Sequence, residues 1–344
     1  MDGVVAGGAE DPTLEIRELR AGEEASLLAC FNETFAQIDV TFRPRSMETW
    51  RWAFERNPAG RRIFVAVSEG RVVAQYASLP VRMLLDGQPT HFGQIVDSMA
   101  HPGYRRGLKR PGIFVRTALP FFDHYGGAAK DVVMFGLPVP QAWRVGKTFL
   151  QYEMVRELCT LERDAGSPVA LPPCPAELEV VETDRVGDWI ENLWRPFHPS
   201  QRCLAVRDER YFGWRYSDHP SHRYVFGIAR ARGGSDARGL AVYRRGTFAG
   251  KDAALLVDWM VPSGDHAAGA ALLAWAAGRA QAENAPRLTA LFPTWEPWSE
   301  HFQDRGFRVR PTMYFLVARN FAKACDMGWL RDHWYYTLGD FDLV

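Results

Sequence analysis

One internal repeat constrains this chain more than any other feature of its sequence. Trp52 stands six residues before Pro58 in WAFERNP, and Trp214 stands six residues before Pro220 in WRYSDHP, an offset of 162. VDSMAHP begins at Val96 and VDWMVP at Val257, an offset of 161. Both blocks occur in the same order, each followed by a helix-like run, a strand and a final helix. Two blocks in register are read as two copies of one fold. Between them, residues 162–178 hold four prolines and little periodicity. Proline fixes φ and removes a donor, so this segment reads as a linker. The expected organisation is an N-terminal segment (1–12), a first domain (13–161), the linker (162–178), a second domain (179–322) and a tail docking on both (323–344).

The first copy gives the fold class. LEIRELR alternates from Leu14, as a strand does, and Leu27, Phe31 and Phe35 share one helical face. Ser46 is placed to cap a helix that carries Trp50 and Phe54 and ends at Pro58. Strands are expected at 63–68, 72–85 and 91–100, with turns at Glu69-Gly70 and Asp86-Gly87. A basic loop, a helix from Gly112, a strand at 132–136 and a helix at 141–149 complete the copy. This is an α/β pattern, a mixed sheet flanked by helices.

Composition narrows the function. The 344 residues suit two domains, and 41 basic residues balance 41 acidic ones. A neutral chain lacks the broad positive surface that nucleic acid or an anionic membrane would need. The five cysteines are scattered, with no metal-ligand spacing and no disulfide framework, which implies no metal and a reducing, cytoplasmic compartment. The N-terminus lacks the basic start of a signal peptide, and the longest apolar run, 267–278, is too short to span a bilayer.

The segment HPGYRRGLKRPGIFVRTALPFF follows the third strand. Arg105, Arg106, Lys109 and Arg110 crowd around Gly107, and Pro111-Gly112 open a helix with Phe114, Ala118 and Phe121 on its apolar side. A strand, a Gly-containing turn and a helix start aim several free N–H groups at one point, and the helix dipole adds to them. The cations supply charge-assisted bonds to phosphates. The segment is neither a Walker loop nor a G-x-G-x-x-G fingerprint.

These residues resemble the acyl-CoA site of the GNAT acyltransferase superfamily, whose usual loop is R-x-x-G-x-G/A. FGLPVPQAWRVGKTFLQYEMV resembles that superfamily's last strand and helix, and FQDRGFRVR resembles its Gly-Phe ending in the second copy. The resemblance covers nearly the whole chain as two tandem GNAT-like domains. It implies that the first domain binds acetyl-CoA or another short acyl-CoA through Met99, Ala100, Arg105, Arg106, Gly107, Leu108, Lys109, Arg110, Gly112, Ile113, Phe114 and Gln141. It implies direct transfer to an amine, without a metal. Asp97, on the strand entering the loop, is the first candidate base, against a fold-supporting role suggested by Asp258 at the matching place. His101 is the second, against a role as a turn histidine before Pro102. Two features depart from the family: the loop is longer, and Gly146 stands where many relatives carry a tyrosine general acid.

The second copy's matching loop, PSGDHAAGAALL, has no Lys or Arg from Asp252 to Gly278. Ser263 or Asp265 can cap the following helix with the N–H groups a phosphate would use, and Asp265 would repel an anion. The second domain is therefore expected to bind no acyl-CoA. The tail, WYYTLGDFDLV, is expected to dock, and it carries Asp340, Asp342 and a terminal carboxylate that a docked tail could bring to the site. The acceptor is expected to be a small-molecule amine, with no nucleic-acid or membrane partner, and a homodimer is left open. Two rival readings of the same architecture are an aminoacyl-tRNA-dependent transferase and a catalytically inactive ligand-binding protein.

Overall fold

The computed structural model describes residues 14–105, 111–323 and 325–344. The first copy runs β1 (Glu15–Glu18), α1 (Glu24–Ala36), α2 (Met47–Phe54), β2 (Arg62–Ser68), β3 (Arg71–Leu85), β4 (Gln88–Ala100), α3 (Ile113–Tyr125), β5 (Asp131–Gly136), α4 (Pro140–Phe149) and β6 (Glu153–Asp164). The second repeats the order with β7 (Leu178–Thr183), α5 (Trp189–Phe197), β8 (Cys203–Ala205), α6 (Glu209–Phe212), β9 (Val225–Ala231), β10 (Ala237–Phe248), β11 (Lys251–Met260), α7 (His266–Ala282), β12 (Arg287–Ala290), α8 (Pro297–Asp304) and β13 (Arg308–Asn320). A last helix, α9 (Met327–His333), leads into the tail. β6 runs to Asp164, three residues into the segment read as linker.

The caps repeat as well as the elements. Ser46 accepts from the Thr49 amide at the start of α2, and Asp208 accepts from the Tyr211 amide at the start of α6, 162 residues on. Each satisfies an N–H that the helix cannot pair itself.

The strands form one sheet in the order β1-β2-β3-β4-β5-β13-β6-β12-β11-β10-β9-β7, with β8 paired to β3 off this path. The order reads the same from both ends once the copies are matched, because the copies trade their last strands. β13 of the second copy pairs with β5 of the first, and β6 of the first pairs with β12 of the second. β13 and β6 also pair with each other, antiparallel, at the centre. The exchange leaves neither inner edge unpaired. At the pseudo-two-fold, Trp52 and Trp214 stack with centroids 5.3 Å apart. Each indole donates to the other's carbonyl, at 2.7 and 2.8 Å. The tryptophans that revealed the repeat thus sit on its symmetry element.

One apolar cluster crosses the boundary, joining Trp52, Phe54 and Phe92 to Trp214, Phe226, Trp334 and Phe341. The tail is part of it: Trp334, Tyr335, Tyr336, Leu338 and Phe341 are buried. No helix among the described residues is long and apolar enough to cross a membrane.

Candidate active site

Each copy has one parallel strand pair, and each of these pairs opens into a notch. The β4–β5 ladder ends at Gln94↔Phe135, whereas β4 stays paired to β3 as far as Ala100↔Ala74. Beyond Gln94, β4 therefore has no strand on its β5 side. In the second copy the β11–β12 ladder ends at Leu255↔Thr289, while β11 stays paired to β10 as far as Met260↔Leu240. A bare strand edge can pair with the amides of a ligand. What fills the two notches decides their chemistry.

In the first, β4 bulges at Asp97, which takes φ +55° as the register slips between Gln75↔Met99 and Ala77↔Val96. Aspartate is among the few side chains that tolerate this region. The conformation is held from two sides. The Arg45 guanidinium pairs with the Asp97 carboxylate and lies 4.4 Å from the Phe31 ring centre, and Gln75 Nε2 donates to Asp97 O at 2.9 Å. The tail delivers a second carboxyl here: Gln94 Nε2 donates to Asp342 Oδ1 at 2.8 Å. Asp342 is exposed to solvent, yet the protein around it is dense enough to act on its charge. Burial and the neighbouring Asp97 carboxylate push its carboxyl up to about 6, against the pull of Arg45 and Arg215. Arg215 anchors the tail, donating to the carbonyls of Gly339, Phe341 and Val344 at 2.8–3.0 Å.

The sequence-expected residues divide. Gly112 opens α3 with no side-chain cap, leaving the first amides of that helix to another acceptor. Ile113 and Phe114 follow it into the core, Phe114 packing 5.4 Å from the Tyr76 ring. Arg105 turns back, its Nε donating to Ala100 O at 2.9 Å, and so ties the loop to the bare strand end. Met99 is buried with its sulfur 3.8 Å from Thr34 Oγ1, toward α1. Gln141 lies exposed in the first turn of α4. Arg106, Gly107, Leu108, Lys109 and Arg110 lie outside the described residues. His101 accepts from the Gly103 amide at 3.2 Å and lies 3.8 Å from Glu33; its described contacts include neither Asp97 nor Asp342. Gly146 faces Tyr152, whose hydroxyl is 3.0 Å from that of Tyr76 in a buried pair.

The second notch is plugged. Asp265 caps α7, accepting from the Ala268 amide at 3.0 Å, and is held by Arg238 at 2.8 Å. Trp298 packs so tightly on α7 that a Cβ at Gly269 would collide with its indole, and its Nε1 donates to Val261 O at 2.9 Å. From the tail, Tyr335 donates to Trp259 O on the bare edge of β11. Beneath lies an ion triad: Arg207 meets Asp258 at 3.1 Å and Asp340 at 2.6 Å, all three buried. Tyr216 and Thr337 also donate to Asp258, at 2.8 and 3.2 Å. Arg207–Asp258 repeats Arg45–Asp97 in the other copy, at offsets of 162 and 161. The sequence analysis singled out both aspartates but neither arginine. The repeat offset carried that signal, since an arginine recurs 162 residues on beside an aspartate that recurs 161 on.

Residues 15–111 match a family model described as an acetyltransferase (GNAT) domain. The whole chain is similar in structure to a tandem GNAT protein from the clavulanic acid biosynthesis pathway. The TM-score is 0.55 at 15% identity, covering 91% of this chain and 100% of that one. Its first copy matches a GNAT domain, and the chain as a whole has the tandem GNAT fold. Its tandem GNAT fold is also similar to a probable N-acyltransferase of Enterococcus faecalis V583. There the TM-score is 0.66 at 13% identity, over 93% of this chain and 74% of that one. Saccharomyces cerevisiae N-myristoyltransferase with bound myristoyl-CoA gives 0.54 at 13%, over 90% and 83%. At such identities the likeness is one of fold. No curated protein matches this GNAT sequence significantly. The second copy of the fold is plugged at its own notch.

Proposed function

We propose that the chain is an N-acyltransferase that moves a short acyl group, acetyl first among them, from acyl-CoA to a small-molecule amine in the first notch. One contrast carries the reading. Of two equivalent helix starts beside two equivalent bare strand edges, α7 is capped by Asp265 and plugged by Trp298, and α3 is left without a side-chain cap. The free amides of α3, Arg105 and the neighbouring basic residues suit a pyrophosphate. The open edge of β4 suits the amides of a pantetheine arm, and its N–H groups suit a thioester oxygen as it gains charge.

In this reading the two carboxyls of the notch take different roles because their surroundings differ. Asp97, fixed by Arg45, holds the acceptor's ammonium group. Asp342, with its raised pKa, takes one proton from the ammonium and so frees the nitrogen lone pair to attack the thioester carbon; the second N–H proton passes through solvent to the departing sulfur. The C–S bond breaks, and the thiolate leaves with the electron pair. A thiolate is a competent leaving group, with a thiol pKa of about 8.5, so the step tolerates glycine at position 146. His101 is left to cap its turn. All five cysteines are free, which fits a reducing compartment and a cytoplasmic site of action.

Calorimetry with acetyl-CoA tests the reading. Binding is expected for the intact chain and is lost on replacing Arg105 and Arg106 together by alanine. A thiol-release assay over an amine panel and acyl chains of increasing length then sets the substrates. If no acyl-CoA binds, the inactive rival stands instead.

A further inference from the structure

The second copy buries an arginine that nothing in the described chain pairs with. β9 covers β10 only as far as Val225↔Tyr243, so β10 has an open edge from Arg244 onward. Beside that edge lies a cleft of about 470 Å3, between the Ser221–Arg223 loop and the α7 side chains Arg279 and Glu283. Arg244 lines this cleft and is 8% exposed. Its Nε is sealed from solvent without a partner. Its Nη2 lies over Gly246, 2.8 Å from where a Cβ would stand. The ring nearest its charge is Tyr224, at 5.9 Å.

The other charges of the cleft are committed. Arg245 is paired with Asp252, and Arg279 is paired with Glu182 at 2.7 Å and with Glu283 at 2.9 Å. The second Glu283 oxygen accepts from Tyr243 at 2.7 Å. Among the described residues no carboxylate is left for Arg244, and exposed Arg223 adds a second cation without a partner there. A guanidinium withdrawn from water without a counter-charge is unfavourable, and an incoming oxyanion that matches its planar fork relieves it. Burial and the nearby arginines hold the His222 ring neutral, at about 4, so its ring can share a hydrogen bond with such a group.

A series of neighbouring side chains relates the cleft to the notch. Arg244 and Phe248 point to the same face of β10, and the Phe248 ring lies 5.7 Å from Tyr314. Asp342 is close enough to raise the Tyr314 phenol further, after burial. Arg215 is close enough to act on the charges of both Arg244 and Asp342.

We propose that this cleft is the subsite for an acidic group on the acceptor, a carboxylate or a phosphate monoester, with Arg244 as its specificity-determining residue. The proposal rests on the acyltransferase reading and names its substrate class: amines that carry an acid at the far end. The test is steady-state kinetics on the full chain with acetyl-CoA, comparing ω-amino acids and aminoalkyl phosphates with the neutral amides of the same lengths. The wild type is expected to favour the acidic acceptors at least tenfold in kcat/KM, and the better of the two acid series identifies the oxyanion. In Arg244→Met that preference collapses through a tenfold rise in KM with kcat within twofold, and Arg244→Lys restores part of it. Equal constants for acid and amide in the wild type, or an unchanged preference in Arg244→Met, overturn the proposal and leave the acyltransferase reading standing. If no amine is acylated, that reading falls and the subsite is judged on binding alone. In that case 3-aminopropyl phosphate or β-alanine at millimolar concentration must raise the melting temperature of the wild type and not of Arg244→Met; equal shifts overturn the site. Arg244→Met, relieved of an unpaired charge, is expected to melt no lower than the wild type. Should it melt lower, Arg244→Lys decides.

Discussion

Replacing Asp342 by asparagine separates catalysis from stability. The amide keeps an oxygen for the Gln94 side chain, bonded to Asp342 at 2.8 Å, and removes the titratable carboxyl. That carboxyl rises from 3.8 in an unperturbed chain to about 6 in the fold, because protein surrounds it and Asp97 stands beside it. A carboxyl with a raised pKa binds its proton more tightly in the folded state. The fold therefore gains stability from it as pH falls from about 6 to about 4 and loses that gain as pH rises again through 6. At 1.36 kcal/mol per pH unit the ceiling is ~3 kcal/mol, and partial contact with solvent reduces the expected figure to ~1 kcal/mol. Urea melts at pH 7, 6, 5 and 4 should show the wild type gaining about 1 kcal/mol over Asp342→Asn across the series, with the variant no less stable at pH 7. Turnover at pH 7.5 should fall by ~10²–10⁴, the usual contribution of a positioned base. The wild-type rate should also decline below pH 6, where Asp342 is protonated. A variant that keeps wild-type turnover, or a stability difference flat across this range, would refute the assignment of the raised carboxyl as proton acceptor.

Three further outcomes follow from packing. Arg207→Met leaves Asp258 and Asp340 buried and unpaired, so it should cost ~3–5 kcal/mol in urea melts and expose the tail to carboxypeptidase. Trp214→Phe keeps a ring against Trp52 but removes one of the two reciprocal hydrogen bonds; a loss of ~1 kcal/mol is expected, and Trp214→Ala should lose ~3–5 kcal/mol. Asp265→Ala should cost ~1 kcal/mol through the lost α7 cap, while calorimetry still finds a single acetyl-CoA site, because Trp298 continues to fill the second notch.

Much of the fold was legible because repetition in sequence reports repetition in structure. The Trp52/Trp214 and Asp97/Asp258 offsets identified two copies, and the periods around Leu27, Trp50 and the 72–85 strand located their elements. The Asp265 cap and the basic loop after Tyr104 distinguish the copies chemically in the sequence itself. Other features had no local signature. A strand's hydrophobic alternation shows which face it buries and says nothing about which neighbour it joins, so β6 and β13 gave no sign of their exchange. Charge pairing between Arg45 and Asp97 spans 52 residues, and in the sequence only the recurrence of both residues as Arg207 and Asp258 hints at it.

From sequence alone came the duplication, the α/β class and a helix start at a glycine that has no side chain to cap it, because local backbone chemistry and residue periods govern each of them. The tertiary structure decided which notch stays open, how the tail brings Asp342 to Asp97, and that Arg244 is buried without a counter-charge. Those depend on distances between residues far apart in the chain. Burial and electrostatics act through space, and only the packed sheet fixes which charges meet and which are left alone.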